Sequence, residues 1–433
     1  MKQTKEHSIA LINAQLLDPQ KDRLEPGGLI IEAGRIKKVS TSLRRNAPKG
    51  SQIIDCNSKV LAPGLVDMLV YTGVPGQEHR ETLATASLAA LAGGVTSMIT
   101  MPNTKPVIDD VALVDYIKRH ATDPGYVHIY PMAALTKGLQ GAEMTEIGLL
   151  KKAGAIAFTN GKESIANAQT MRKVMAYAKD FDALIVHFTE DAALGAGGVM
   201  NEGLVSSRLG LPGRPCAAET ILLERDIRLV ELTGTRYHAA QISCASSLDV
   251  IRKAKAQGLP VSCGVSINHL SLNENDIGPY RTFFKMRPPL RTEEDRLSLI
   301  EGVKDGTIDL VVSAHDPQDV DVKRQPFEQA SDGAIGLETL LPALLRLYHN
   351  ETLSLPEMFR LIARNPARLL GLEAGTLQEG APADLVLFDP MTPWIVDAAQ
   401  LSSKSKNTPF EDERMQGRIL RTFVAGRELY RYS

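Results

Sequence analysis

The chain has 433 residues, is 43% hydrophobic, and sets 49 basic against 51 acidic side chains for a formal charge of −2. That length and apolar content allow a large buried core. The near-cancelling charge gives no electrostatic basis for nucleic acid or an anionic membrane as partner, and no stretch is long and apolar enough to span a bilayer.

Residues 1–7 lack the apolar centre of a signal peptide, so a cytoplasmic protein is expected. Residues 8–60 hold short alternating strands with turn signals, as in Gly28-Leu29-Ile30-Ile31-Glu32-Ala33-Gly34-Arg35-Ile36. The basic run Leu43-Arg44-Arg45 with Lys49 reads as a solvated loop. Eight short apolar runs follow, at 61–71, 95–103, 127–135, 155–160, 183–188, 237–243, 260–266 and 308–315. Runs such as Ala183-Leu184-Ile185-Val186 are nearly all apolar rather than alternating, which suits parallel strands covered on both faces. Helical segments lie between them: residues 80–93 are rich in Ala and Leu and close on Gly93-Gly94, and 247–258 stop at Gly258-Leu259-Pro260.

The repeats predict an α/β fold, a (β/α)8 TIM-type barrel. Beyond it, residues 400–415 are polar and read as loop. Residues 383–389 and 419–430 resemble the N-terminal strands, with a hairpin turn at Ala425-Gly426. Strands at both ends predict one small β-sandwich, built from residues 1–60 and 371–433 around a barrel at 61–370. The four cysteines, Cys56, Cys216, Cys244 and Cys263, form no CxxC pair. They predict inert thiols in a reducing compartment rather than a structural zinc or a redox dithiol.

In such barrels reactive side chains stand at the C-terminal ends of the strands. A His-x-His on the first strand would present two imidazoles on one face, because alternate strand residues share a face. Here those positions are Leu69 and Tyr71, and neither offers the lone pair of a neutral imidazole to zinc. The later strand ends read Met101-Pro102-Asn103-Thr104, Ala157-Phe158-Thr159-Asn160-Gly161, His187, Gln241 and Ser313-Ala314-His315-Asp316.

Across nearly its full length the chain resembles a dihydroorotase of the cyclic amidohydrolase superfamily, in the bacterial class that associates with aspartate transcarbamoylase. The segments that carry the resemblance include Ala62-Pro63-Gly64-Leu65-Val66-Asp67, Ala92-Gly93-Gly94-Val95-Thr96, Gly197-Gly198-Val199-Met200-Asn201-Glu202-Gly203, Pro288-Pro289-Leu290-Arg291 and Asn365-Pro366-Ala367-Arg368. The resemblance implies one or two zinc ions at the strand ends, a metal-activated hydroxide, and an aspartate after the eighth strand that shuttles the proton. Carried over by position, its metal ligands fall on Leu69, Tyr71, near Asn160, on His187, Gln241 and Ala314, the last also the proton-shuttle position. Only His187 is retained. The substrate-gripping arginine falls on Gly73, the asparagine before Pro-Pro-Leu-Arg on Arg287, and a loop histidine on Gln318, while Asn103 is kept.

These substitutions predict a catalytically inactive dihydroorotase homologue. It would need no cofactor and would act as a structural or regulatory partner of aspartate transcarbamoylase, itself a homodimer. Asn103, Arg287 and Gln318 would remain as a vestigial substrate site. His187, His238, His269 and His315 read as structural histidines. The alternative is an active cyclic amidohydrolase with a zinc site rebuilt from His187, His315, Asp316 and Asp191. A third reading is a sensor that binds a pyrimidine intermediate, with Arg287 as its anchor.

Overall fold

The computed structural model describes residues 8–44, 50–123 and 125–432. Residues 1–7, and Arg45 and Lys49 of the basic run, lie outside them.

Both ends of the chain meet in one eight-stranded sheet. Strand Val60–Pro63 is the seam. It runs antiparallel to Leu385–Ile395, with Leu387 opposite Leu61, and parallel to Ile9–Asp18, with Leu16 opposite Leu61. Ile9–Asp18 continues the sheet into Arg23–Glu32 and Arg35–Ser40, and Leu385–Ile395 into Arg414–Val424 and Arg427–Arg431. Inward-facing Leu11, Leu29, Ile36, Leu61, Leu385 and Phe423 form one buried cluster from both termini. The hairpin falls at Ala425-Gly426, both at positive φ (46° and 75°), the geometry that matches the right-handed twist of the flanking strands. The sequence predicts a sandwich here; the observed element is this sheet.

The remaining strands are parallel. Leu65–Val70, Val95–Thr100 and His128–Pro131 form one sheet. Ala133–Ala134, Phe158–Thr159, Ile185–His187, Tyr237–Ala239, Val261–Ser266 and Leu310–Val312 form another. The two sheets are linked at both edges. Residues 128–134 pass from one to the other, the Met132 amide donating to the Thr100 carbonyl at 2.9 Å. At the far edge Val70 bridges His315, and the Tyr71 amide donates to the His315 carbonyl at 2.8 Å. Every residue of Leu65–Val70 and Val95–Thr100 is buried, as near-continuous apolar runs require of strands covered on both faces. Val66, Ile99, Leu184, Val186, Leu310 and Val312 share a single apolar cluster.

Several strands are shorter than the apolar runs that predict them. The run at 308–315 is strand only over Leu310–Val312, after which Ala314 takes a positive φ of 52° and the chain turns away from the sheet. The helix predicted at 80–93 is Leu83–Ala92. It is opened by a capping box in which the Thr82 hydroxyl accepts from the Thr85 amide and the Thr85 hydroxyl accepts from the Thr82 amide. The helix predicted at 247–258 is Ala245–Ala256. Among the described residues no helix is long and apolar enough to cross a membrane.

The polar segment 400–415 is loop from Leu401 to Glu413, as the sequence predicts, and much of it is buried. Ser403, Ser405, Asn407 and Thr408 are buried, and the segment straps the parallel-strand unit. The Ser403 hydroxyl donates to Glu81, the Ser402 amide to Glu338 at 2.6 Å, and the Ser405 hydroxyl to the Arg80 carbonyl at 2.7 Å. Asn407 donates to the carbonyls of Asp316 and Gly333 and accepts from the Gln318 amide at 3.1 Å. Polarity here reflects hydrogen bonding to buried backbone and carboxylates rather than hydration.

Candidate active-site pocket

The strand ends converge on a two-part cavity. Its inner chamber has a volume of about 20 Å³ and is lined by Leu69, Tyr71, Gln241, Ala314 and Arg287 among others. A chamber of that size holds about one water molecule. Outside it opens a cavity of about 410 Å³ walled by Tyr71, Arg80, Asn103, Lys162, Asp316 and Gln318.

Asp316 organises the boundary between the two. The Lys162 ammonium donates to its Oδ2, while Arg80 Nη2 at 3.0 Å and Gln318 Nε2 at 2.9 Å donate to its Oδ1. The Lys162 ammonium also lies 5.2 Å from the centre of the Tyr71 ring, within cation–π range. Burial, with Asp316 adding to it, pushes the Tyr71 phenol far above its ordinary pKa, so Tyr71 is a neutral ring here. Arg80 is held in turn by the Pro317 carbonyl at 2.8 Å and Gln77 at 3.0 Å. Sequence reading passes over Lys162 and Arg80. Residues 80, 162 and 316 meet only through the tertiary fold, and no local pattern joins them.

His187, the one retained ligand position, faces elsewhere. Its side chain is 0% exposed; Nδ1 lies 2.7 Å from Asp226 Oδ2, and Nε2 accepts from the Ile165 amide at 3.0 Å. An amide donating to Nε2 fixes the proton on Nδ1, so both ring nitrogens are engaged. Asp226 also accepts from Tyr237 Oη at 2.7 Å and from both Nε and Nη2 of Arg225. Burial raises its pKa, but His187, Arg225 and Tyr237 outweigh that and hold it below the usual carboxylate value.

The other predicted positions divide in the same way. Asn160 turns from the chamber toward Thr136, accepting from its amide at 3.1 Å and donating to its hydroxyl at 2.8 Å. His315 is fully buried; the Gly336 amide donates to its Nδ1 at 3.2 Å, and its Nε2 faces Glu81 at 3.5 Å. Asp191 caps its own turn through the amides of Ala193 and Leu194. His187, His315, Asp316 and Asp191 therefore do not converge as a rebuilt ligand set. His238 bonds Ser262 at 2.8 Å, and burial drives its pKa down to about 3. His269 bonds the Pro289 carbonyl at 3.1 Å and is pushed by burial to about 4.

Of the predicted substrate groups, Arg287 reaches the chamber but is paired. Its Nη2 donates to Glu190 Oε1 at 2.9 Å, Glu190 also holds Arg214, and the guanidinium lies over the Phe188 ring. Gln318 is bound to Asp316. Asn103 faces the outer cavity, its buried Oδ1 without a hydrogen-bond partner among the described residues. Gly161, at φ 65°, lies against it, and a Cβ there would overlap the Asn103 carboxamide. Beneath the chamber Asp67 is fully buried; its Oδ1 accepts from the amides of Leu69 at 3.2 Å and Ser313 at 3.3 Å, and burial pushes its pKa up to about 6.

Comparison with known proteins places this architecture. Residues 58–247 match a family model described as dihydro-orotase-like, and residues 280–430 match one described as amidohydrolase family. The chain is 41% identical over 433 residues to a dihydroorotase of Anaplasma phagocytophilum, covering 99% of this chain and 96% of that one. It is 39% identical to a dihydroorotase of Geotalea daltonii, covering 98% and 99%. Among solved structures, L-hydantoinase (dihydropyrimidinase) from Arthrobacter aurescens superposes with a TM-score of 0.85 at 24% identity, covering 97% of this chain and 95% of that one. D-hydantoinase (dihydropyrimidinase) from Thermus sp. gives 0.82 at 24%. These two establish the α/β fold of the cyclic amidohydrolases.

The matches correct one expectation. Full-length relatedness to dihydroorotases and the amidohydrolase family match imply zinc, so the expectation that no cofactor belongs to this fold does not stand. The side chains at the carried-over ligand positions do not fit the ion. Among the described residues no group of three or more His, Cys, Asp or Glu is placed to hold a metal, where zinc takes three or four protein ligands. With relatives near 40% identical over essentially its whole length, the chain belongs to the dihydroorotase family of amidohydrolases.

Proposed function

We propose that this protein belongs to pyrimidine biosynthesis as a dihydroorotase-family member whose mouth does not open or close the dihydroorotate ring. Its role is that of a structural or regulatory partner of aspartate transcarbamoylase. The parallel strands are read as a closed (β/α)8 barrel over residues 61–370, with residues 1–60 and 371–433 completing the small β domain, and the chain as a homodimer.

The observation that supports this reading is what fills the mouth. Ring hydrolysis needs room for a cyclic amide beside a nucleophile and a proton carrier. The inner chamber leaves about 20 Å³, far below the several hundred Å³ of a typical small-molecule site. Ala314 carries no proton. Both oxygens of the neighbouring Asp316 are taken by Lys162, Arg80 and Gln318, so its carboxyl group is engaged in structure.

The competing reading, a working cyclic amidohydrolase, draws on the full-length identity to dihydroorotases and on the outer cavity of about 410 Å³ beside Asn103. Two measurements separate them. Purified protein, with and without added zinc, is assayed for dihydroorotate ring opening; turnover proportional to protein would overturn our reading. Mixing with aspartate transcarbamoylase and sizing by sedimentation is expected to give a co-migrating assembly, and independent migration removes the partner role.

A further inference from the structure

Two cysteines 28 positions apart in the sequence are brought to one buried arginine by the fold. Cys216 is the first residue of the long helix Cys216–Thr233, and Cys244 caps the start of the helix Ala245–Ala256. The two sulfurs flank one buried guanidinium. Arg291, 4% exposed, donates through Nη1 to Asn201 Oδ1 at 2.9 Å and through Nε to Ser243 Oγ at 3.0 Å. Cys216 Sγ lies 3.9 Å from that same Asn201 oxygen, and Cys244 Sγ lies 3.7 Å from that same Ser243 oxygen. Cys216 is partly open to solvent, whereas Cys244 is buried. A thiol at a helix N-terminus beside an arginine is the setting that favours thiolate.

We propose that Cys216 and Cys244 form a peroxide-responsive thiol pair, with Cys216 the attacking sulfur and Cys244 the resolving one. The Cys216 thiolate attacks one oxygen of hydrogen peroxide. The O–O bond breaks, sulfur is oxidised to sulfenic acid, and the departing hydroxide takes a proton to leave as water. The Cys244 sulfur, losing its proton, then attacks the sulfenic sulfur; an S–S bond forms and the S–O bond breaks, releasing a second water. The asymmetry of the pair agrees with these roles. The neighbouring Cys244 thiol lowers the Cys216 pKa against the effect of burial, with Arg291 assisting. The Cys216 sulfur beside it, together with burial, raises the Cys244 thiol well above its ordinary value. This inference is independent of the proposed loss of hydrolysis at the barrel mouth.

Cys56 and Cys263 supply internal controls. Both are buried, and burial pushes the Cys56 thiol up to about 12 and the Cys263 thiol higher still. The test uses full-length protein, reduced, freed of reductant, and given stoichiometric hydrogen peroxide. Iodoacetamide mapping before oxidation is expected to modify Cys216 at least about tenfold faster than Cys56 or Cys263. After oxidation, intact mass falls by two hydrogens, and non-reducing peptide mapping joins the segments holding residues 216 and 244. In Cys244→Ser, the sulfenic acid accumulates on Cys216 and is trapped by dimedone. Equal alkylation of Cys216 and Cys263 overturns the proposal. So does wild-type oxidation that leaves Cys244 alkylatable after denaturation, a result that needs no variant to fold.

Discussion

Two carboxylates, Asp226 and Asp316, each bind more than one donor, yet they differ in how deeply those donors are buried. Asp226 and His187 are 0% exposed and Tyr237 is buried with them, while Arg225 keeps 18% of its side chain in solvent. Asp316 is nearly buried, but its cations Lys162 and Arg80 keep about a fifth of their surface in solvent at the cavity wall. The difference shows where the fold tolerates change. Removing Asp226 strands the sealed His187 and Tyr237 donors without water, whereas cations that reach solvent, Arg225 as well as Lys162 and Arg80, can be rehydrated.

The largest effect is therefore expected from Asp226→Ala. It leaves His187 Nδ1, the Tyr237 hydroxyl and the Arg225 guanidinium without their shared acceptor and should cost about 3–5 kcal/mol, read from urea unfolding. A loss below about 1 kcal/mol would mean that water reaches the site and that it is not sealed. Gly161→Ala comes next. It forces a side chain onto positive φ and into the Asn103 carboxamide, and should cost about 3 kcal/mol with a shift in the nearby amide resonances.

Asp67 tests the floor of the mouth through pH. Its carboxyl titrates near 3.8 when unperturbed and at about 6 in the folded protein. Between these values the folded state holds more protons than the unfolded one, so this group's contribution to stability falls as pH rises from about 4 to about 6 and is level above. Asp67→Asn removes that decline. The stability difference between variant and wild type should grow by about 2 kcal/mol from about pH 4 to about pH 7; a pH-independent difference would show that the site is hydrated. The smallest effect belongs to Lys162→Met. Asp316 keeps Arg80 and Gln318, so the loss should be about 1 kcal/mol. A loss equal to that of Asp226→Ala would place the two carboxylates in the same class.

Backbone scaffolding was the legible part of this sequence. Apolar runs of six to eleven residues located the parallel strands, the glycine pair at 93–94 closed a helix, and Ala425-Gly426 marked a hairpin. Leu69, Tyr71, Gln241 and Ala314, from separate stretches of the sequence, line one chamber. Side-chain partnership was not legible. Arg287 offered itself as a free cation, but Glu190, 97 positions away, neutralises it. Cys216 and Cys244 looked isolated because only the packing of two helices joins them. Segment 400–415 read as loop, and its composition gave no sign that its Ser and Asn residues bond Glu81, Glu338 and the Asp316 carbonyl. Periodicity reports which face of an element is apolar; it carries no information on which polar atoms from distant elements will meet.

Asn407 has a consequence for the order of assembly. Its side chain supports the backbone of Asp316, Gln318 and Gly333, which precede it by 91, 89 and 74 residues. During translation the earlier strands can emerge and pair in turn, but the wall of the outer cavity lacks its final brace until residue 407 leaves the ribosome. A nascent chain arrested before that point would display an unfinished mouth, exposed to whatever chaperone or partner meets it first.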